Sequence, residues 1–143
     1  MGIKRFLLLL LVACNNLVAQ SYELPKDEMG LCDTVWYYEE YSEDSGATLY
    51  ARIVFDEGGA LFRYWSSVRT FIEPYKMIYS SKASTKTVWL YSSLVNFALN
   101  KPMYRGEFVW DNELKETIML LYMEMLVSIN GRDMSLIGIL RKL

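Results

Sequence analysis

Between residues 33 and 110 apolar and polar positions alternate in short runs bounded by turn residues, the pattern of half-buried strands. The clearest unit joins Thr48–Phe55 to Ala60–Ser66 through Asp56-Glu57-Gly58-Gly59. A loop centred on Glu57-Gly58 pairs Phe55 with Ala60, Ile53 with Phe62 and Ala51 with Tyr64. Because side chains alternate, Leu49, Ala51, Ile53, Phe55, Phe62 and Tyr64 share one face, which the pattern turns inward. Tyr50, Arg52, Val54, Leu61, Arg63 and Trp65 share the wetter face. Asp33–Glu40, rich in Val, Trp and Tyr, predicts a strand before it. Lys76–Ser81, Lys86–Ser92 and Met103–Trp110 predict strands after it. Residues 71–75 and 93–102 read as loops, where Pro74 and Pro102 restrict the residues before them.

The run from Asp111 to Ile129 fits two structures. As a helix, Glu113, Glu116, Thr117, Glu124 and Ser128 gather on about a third of the circumference, with Asn112 as cap and Gly131 as stop. As a strand, Thr117, Met119, Leu121, Met123, Met125, Val127 and Ile129 alternate without a charge. Asn130-Gly131 then makes a two-residue hairpin turn, pairing Val127 with Met134, Met125 with Leu136, Leu121 with Leu140 and Ser128 with Asp133. Turn chemistry and patterning agree on the hairpin. The fold this predicts is all-β, built of antiparallel strands. The alternative is an α+β fold with a helix at about 113–129 packed on the sheet.

The first nineteen residues read as an address. Lys4-Arg5 precede an apolar stretch, Phe6–Ala13, that is too short for the ~20 residues of a membrane-spanning helix. Cleavage after Ala19 makes 1–19 a signal peptide and 20–143 a single soluble, exported domain, periplasmic or secreted. Leu11-Val12-Ala13-Cys14 offers the alternative of a lipobox, with Cys14 lipidated and the protein an outer-membrane lipoprotein. Membrane contact is then expected only through that anchor. Either way Cys32 is left alone, so the domain is expected to hold no internal disulfide.

Composition removes chemistries. With no histidine in 143 residues, imidazole bases, Ser-His and Cys-His pairs and histidine metal sites are absent. Without an activating base, Cys32 reads as a small packed residue. From Gln20 onward 13 basic residues stand against 17 acidic ones, and no basic run exists, so nucleic acid is not expected as a partner. The carboxylate pairs Glu39-Glu40, Glu43-Asp44 and Asp56-Glu57 border turns and read as solvated; the acidic turn lacks the regular alternation of a calcium loop. No serine begins Ser-x-x-Lys or sits in Gly-x-Ser-x-Gly. These readings predict no enzyme, no metal and no cofactor.

Aromatic residues are the remaining resource, twenty of them from Gln20 onward. Phe62, Tyr64, Trp89 and Tyr91 are the candidates to line a small apolar ligand cavity, unless they simply fill the barrel. Tyr50 and Trp65, opposite each other on the outer face, are candidates for a contact patch. Thr34-Val35-Trp36, the hairpin Ile53–Gly59 and the closing Ile129–Leu136 together resemble the small lipocalin-like domains exported by Bacteroidetes-type bacteria. That resemblance implies an all-β, single up-and-down antiparallel β-barrel of about eight strands, with Trp36 closing its floor. The family's glycine two residues before the tryptophan is Thr34 here, and no functional residue transfers. The expected function is a non-catalytic binding module for a small apolar or amphipathic ligand. The alternative is a protein-interaction or structural domain with a packed interior, acting through its outer aromatic surface.

Overall fold

The computed structural model describes residues 24–68, 72–127 and 131–143. Residues 1–23, with the expected processing sites at Cys14 and Ala19, lie outside them, as do Ser128, Ile129 and Asn130. Eight strands follow a lead segment: β1 Val35–Ser42, β2 Ala47–Asp56, β3 Gly59–Ser66, β4 Tyr75–Lys82, β5 Thr87–Tyr91, β6 Tyr104–Asp111, β7 Glu116–Val127 and β8 Gly131–Lys142. They form a closed antiparallel barrel in sequence order, the predicted up-and-down fold. The β2–β3 hairpin has the predicted register, with Phe55 opposite Ala60, Ile53 opposite Phe62 and Ala51 opposite Tyr64.

The ambiguous run is strand β7. Its helical start signal belongs to a turn: the Asp111 carboxylate accepts the Glu113 and Leu114 amides at 2.9 Å, and Lys115 closes the turn at φ 52. The turns before β2 and β5 also end on a left-handed residue, Gly46 and Lys86. Two expectations need correction. Residues 93–102 are not all loop, because a short helix, α1, occupies Leu94–Ala98, capped by the Ser93 hydroxyl on the Asn96 amide at 3.1 Å.

The last hairpin has a different register as well. Val127 faces Gly131, Met125 faces Asp133 and Tyr122 faces Leu136, so Gly131 opens β8 instead of completing a two-residue turn. A bulge at Leu121/Tyr122 then admits Ile137 as an extra residue, after which Leu121 faces Gly138 and Met119 faces Leu140. Its physical reason is parity. A one-residue slip exchanges the two faces of a strand, and the bulge returns Leu140 to the inside opposite Met119. Gly138 sits where an added Cβ would lie 3.3 Å from the Tyr38 ring, so the glycine leaves room for that ring.

Side chains fill the interior. Ile53, Phe55, Phe62, Val88, Leu90, Met119, Leu121 and Leu140 are at most 1% exposed. Each such burial is worth roughly 1.5–3 kcal/mol. Rings interlock through Phe62–Tyr104 at 4.4 Å, Phe55–Tyr79 at 4.9 Å and Trp36–Phe108 at 5.1 Å. At Gly106 a Cβ would come within 2.8 Å of both Met119 and Val88, so side chains of the flanking strands β7 and β5 close over the glycine.

One end is closed by the lead segment. Asp27 bridges to Ser81 beside β4, and its carboxylate accepts the Leu31 and Cys32 amides at 2.9 Å, the Ser81 hydroxyl at 2.8 Å and the Tyr79 hydroxyl at 3.2 Å. Burial would push this carboxyl up, but the four hydrogen bonds prevail and hold it below its ordinary value. A lowered folded value means the stabilisation is complete above the unfolded carboxyl range and is lost as pH falls through the folded value. Asp27→Asn is therefore expected to cost about 1–3 kcal/mol at pH 7. The difference from wild type in urea midpoint should shrink as pH drops from about 5 to below 3; a difference that stays constant over that range would contradict the latch.

Candidate functional site

The structure does not bring the four aromatic candidates to one cavity. Phe62 is fully buried against Tyr104. Tyr64 lies two positions on along the same face, beyond the last β3–β4 pair at Phe62–Tyr75, and is 38% exposed. Trp89 and Tyr91 face outward, because β5 pairs Val88 with Ser81 and Leu90 with Tyr79, which turns its even-numbered residues inward. Phe97 of α1 meets Tyr91 edge-on at 5.1 Å, and Trp89 and Tyr91 line an outer cleft with Lys26, Lys82 and Phe97. Both faces of β5 are apolar, so alternation alone could not tell the interior from the surface covered by the helix.

At the open end Phe62, Tyr75, Lys76, Met77, Ser92, Met103 and Tyr104 surround a cavity of about 220 Å³. Burial, with the phenols of Tyr75 and Tyr64 nearby, raises the Tyr104 hydroxyl above its ordinary pKa. A larger cleft, about 800 Å³, lies along the seam where β1 meets β8, between Tyr38 and Glu40 on one lip and Leu136 and Ile139 on the other.

Glu39 and Glu40 fall on opposite faces of β1. Glu39 accepts the Tyr37 hydroxyl at 2.8 Å, raising that phenol to about 12 through burial and this bond, while Glu40 accepts the Tyr38 hydroxyl. Cys32 stands with Asp33 and Asp56, their ligand atoms within 4.8 Å of one another. Burial first, and then Asp33, Glu57, Asp56 and Asp27, push the thiol upward, which keeps it protonated at neutral pH. Three such groups have the donors for a cation, but both carboxylates are exposed and Asp56 already accepts the Glu57 amide at 2.8 Å.

The outer face of β1–β3 is the most organised surface. Cross-strand register stacks three rungs on it: Val35–Val54–Leu61, then Tyr37–Arg52–Arg63, then Glu39–Tyr50–Trp65. The Tyr50 and Trp65 rings stack at 5.0 Å with 13° between planes, and the Arg63 guanidinium sits 4.5 Å from the Trp65 ring. Hairpin register predicted the Tyr50–Trp65 pairing; the third strand of the ladder needed the β1–β2 pairing as well.

These features define a closed, up-and-down antiparallel barrel with a packed interior and an aromatic–cationic outer face. No protein-family model, curated protein or solved structure matches the chain. Among the described residues no helix is long and apolar enough to cross a membrane.

Proposed function

We propose that this chain is an exported, non-catalytic binding module of lipocalin-like build, in which a filled barrel supports a recognition surface on the outside of β1–β3. The observation that carries the reading is the Tyr50–Trp65 stack with Arg63 against it. Tyr, Trp and Arg are the residues that dominate binding energy at protein interfaces, and here they are held in register by two strand pairings. The filled interior supports the same choice, since small-molecule pockets are ordinarily about 300–1,000 Å³. The reading of export rests on Lys4-Arg5 and the apolar run behind them.

A photo-crosslinking amino acid at position 50, in the full chain expressed in its own host, is expected to give a discrete protein adduct. The same group at Val109, exposed on the outside of β6, is the control. Equal adducts from both positions, or none at 50, would count against the reading. The mouth cavity of about 220 Å³ favours a second reading, a small amphipathic ligand held beside Tyr75 and Met103. A small molecule that stays bound in native mass spectrometry, and leaves on Met103→Trp, would support it.

A further inference from the structure

Arg52, Arg63, Arg105 and Arg141 divide into two kinds. Arg105 pairs with Glu107 at 3.1 Å, and Arg141 pairs with Glu116. Arg52 and Arg63 have no carboxylate partner among the described residues, although they are direct cross-strand neighbours. Opposed side chains in a sheet have Cβ atoms about 4.5–5.5 Å apart, and like charges placed so are destabilising. Arg63 is fixed against Trp65, and its Nε is buried with no acceptor. Arg52 is exposed beside it. Glu39, on the next rung of this face, accepts the Tyr37 hydroxyl and makes no ion pair with either arginine.

We infer that Arg52 and Arg63 form a clamp for a carboxylate of a protein partner, a step that rests on the binding role proposed for this face. Two adjacent guanidinium groups offer paired donors that match the oxygens of one carboxylate through charge-assisted bonds. The neighbouring rungs identify the carrier. On one side lies an aliphatic rung, Val35–Val54–Leu61, and on the other the aromatic Tyr50–Trp65. An anionic saccharide has no use for the aliphatic rung. A polypeptide segment with Asp or Glu between apolar side chains matches all three.

The test follows the arginine Nε–H and tryptophan indole N–H signals of the full ¹⁵N-labelled chain by NMR. The probes are the blocked tripeptide Leu-Glu-Trp, its Leu-Gln-Trp counterpart and a sulfated dextran oligosaccharide. The expected result is a shift of the Arg52 and Arg63 signals with the glutamate peptide, and affinity about tenfold weaker for the glutamine peptide. Arg52→Gln and Arg63→Gln should each abolish that preference, and Arg63→Lys, which keeps the charge without the fork, should reduce it. Equal binding of the two peptides with Trp65 shifting and the arginines silent would overturn the clamp yet leave the aromatic face as the recognition surface. Arginine shifts with the saccharide alone would overturn the assignment to a protein. Silence of both Trp65 and the arginines with every probe would sink the clamp, and together with no adduct at position 50 would sink the binding face.

Discussion

Gly59→Ala is expected to destabilise the barrel by about 2–5 kcal/mol, while Gly58→Ala leaves stability within about 0.5–1 kcal/mol of wild type. The two glycines are adjacent and look equivalent in the sequence. Their surroundings differ. Gly59 has φ +145, and an added Cβ would lie 2.4 Å from the Met77 carbonyl oxygen on β4. That oxygen belongs to backbone and cannot swing aside, so strand β4 must move where Ala60 pairs with Met77. Gly58 has no atom within 4 Å of its Cβ position and keeps an ordinary φ. Urea unfolding of the two variants separates these cases. Equal losses would mean that the turn itself, not the approach of β4, sets the requirement for glycine.

Trp36→Ala is expected to cost about 3–5 kcal/mol, the usual range for emptying a large aromatic site. Trp36 is 4% exposed, meets Phe108 edge-on at 5.1 Å and donates its indole N–H to the Thr34 hydroxyl at 3.1 Å. That hydroxyl in turn donates to the Leu31 carbonyl, so one side chain ties the lead segment to the floor of the barrel. Trp36→Phe keeps a ring beside Phe108 and loses the hydrogen bond, for a smaller loss of about 0.5–1.5 kcal/mol plus the lost volume. The measurement is chemical unfolding of both variants; a loss below about 1 kcal/mol for the alanine variant would show that the lead segment holds the floor without Trp36.

Legibility in the sequence followed how differently the two faces of a segment are built. Across β2–β3 one face is apolar and the other mixed, so a single register satisfies the pattern, and that register is present. The floor role of Trp36 was implied by the family resemblance and not by alternation, which marks only a strand there. On β5 both faces are apolar, so alternation could not show that Trp89 and Tyr91 point outward, Tyr91 buried there against Phe97 of α1. In β7–β8 the turn residues suggested a hairpin correctly, but the bulge that admits Ile137 has no sequence signal apart from Gly138. Left-handed Lys86 and Lys115 were invisible, since lysine does not advertise that conformation. The outer rungs could be listed from alternation. That Arg52 and Arg63 lack acids while Arg105 and Arg141 have them depends on three-dimensional proximity.

The seam has a consequence for how this barrel assembles. Seven of its eight strand pairings join chain neighbours, and only β1–β8, through Trp36–Lys142 and Tyr37–Arg141, joins the ends of the sheet. The meander can therefore grow by local hairpins, each closing a short loop, while the seam alone demands contact between residues more than a hundred positions apart. With two paired positions there against eight in β1–β2, little hydrogen bonding rewards that closure until the floor residues are packed. The rate-limiting event in folding is then the joining of this stave. The same seam is expected to be the first to part in native-state hydrogen exchange. The amide of Tyr37, which points toward β8 as the Val35 carbonyl does, should therefore lose protection before those of Ile53 and Phe55, which bond across β1–β2.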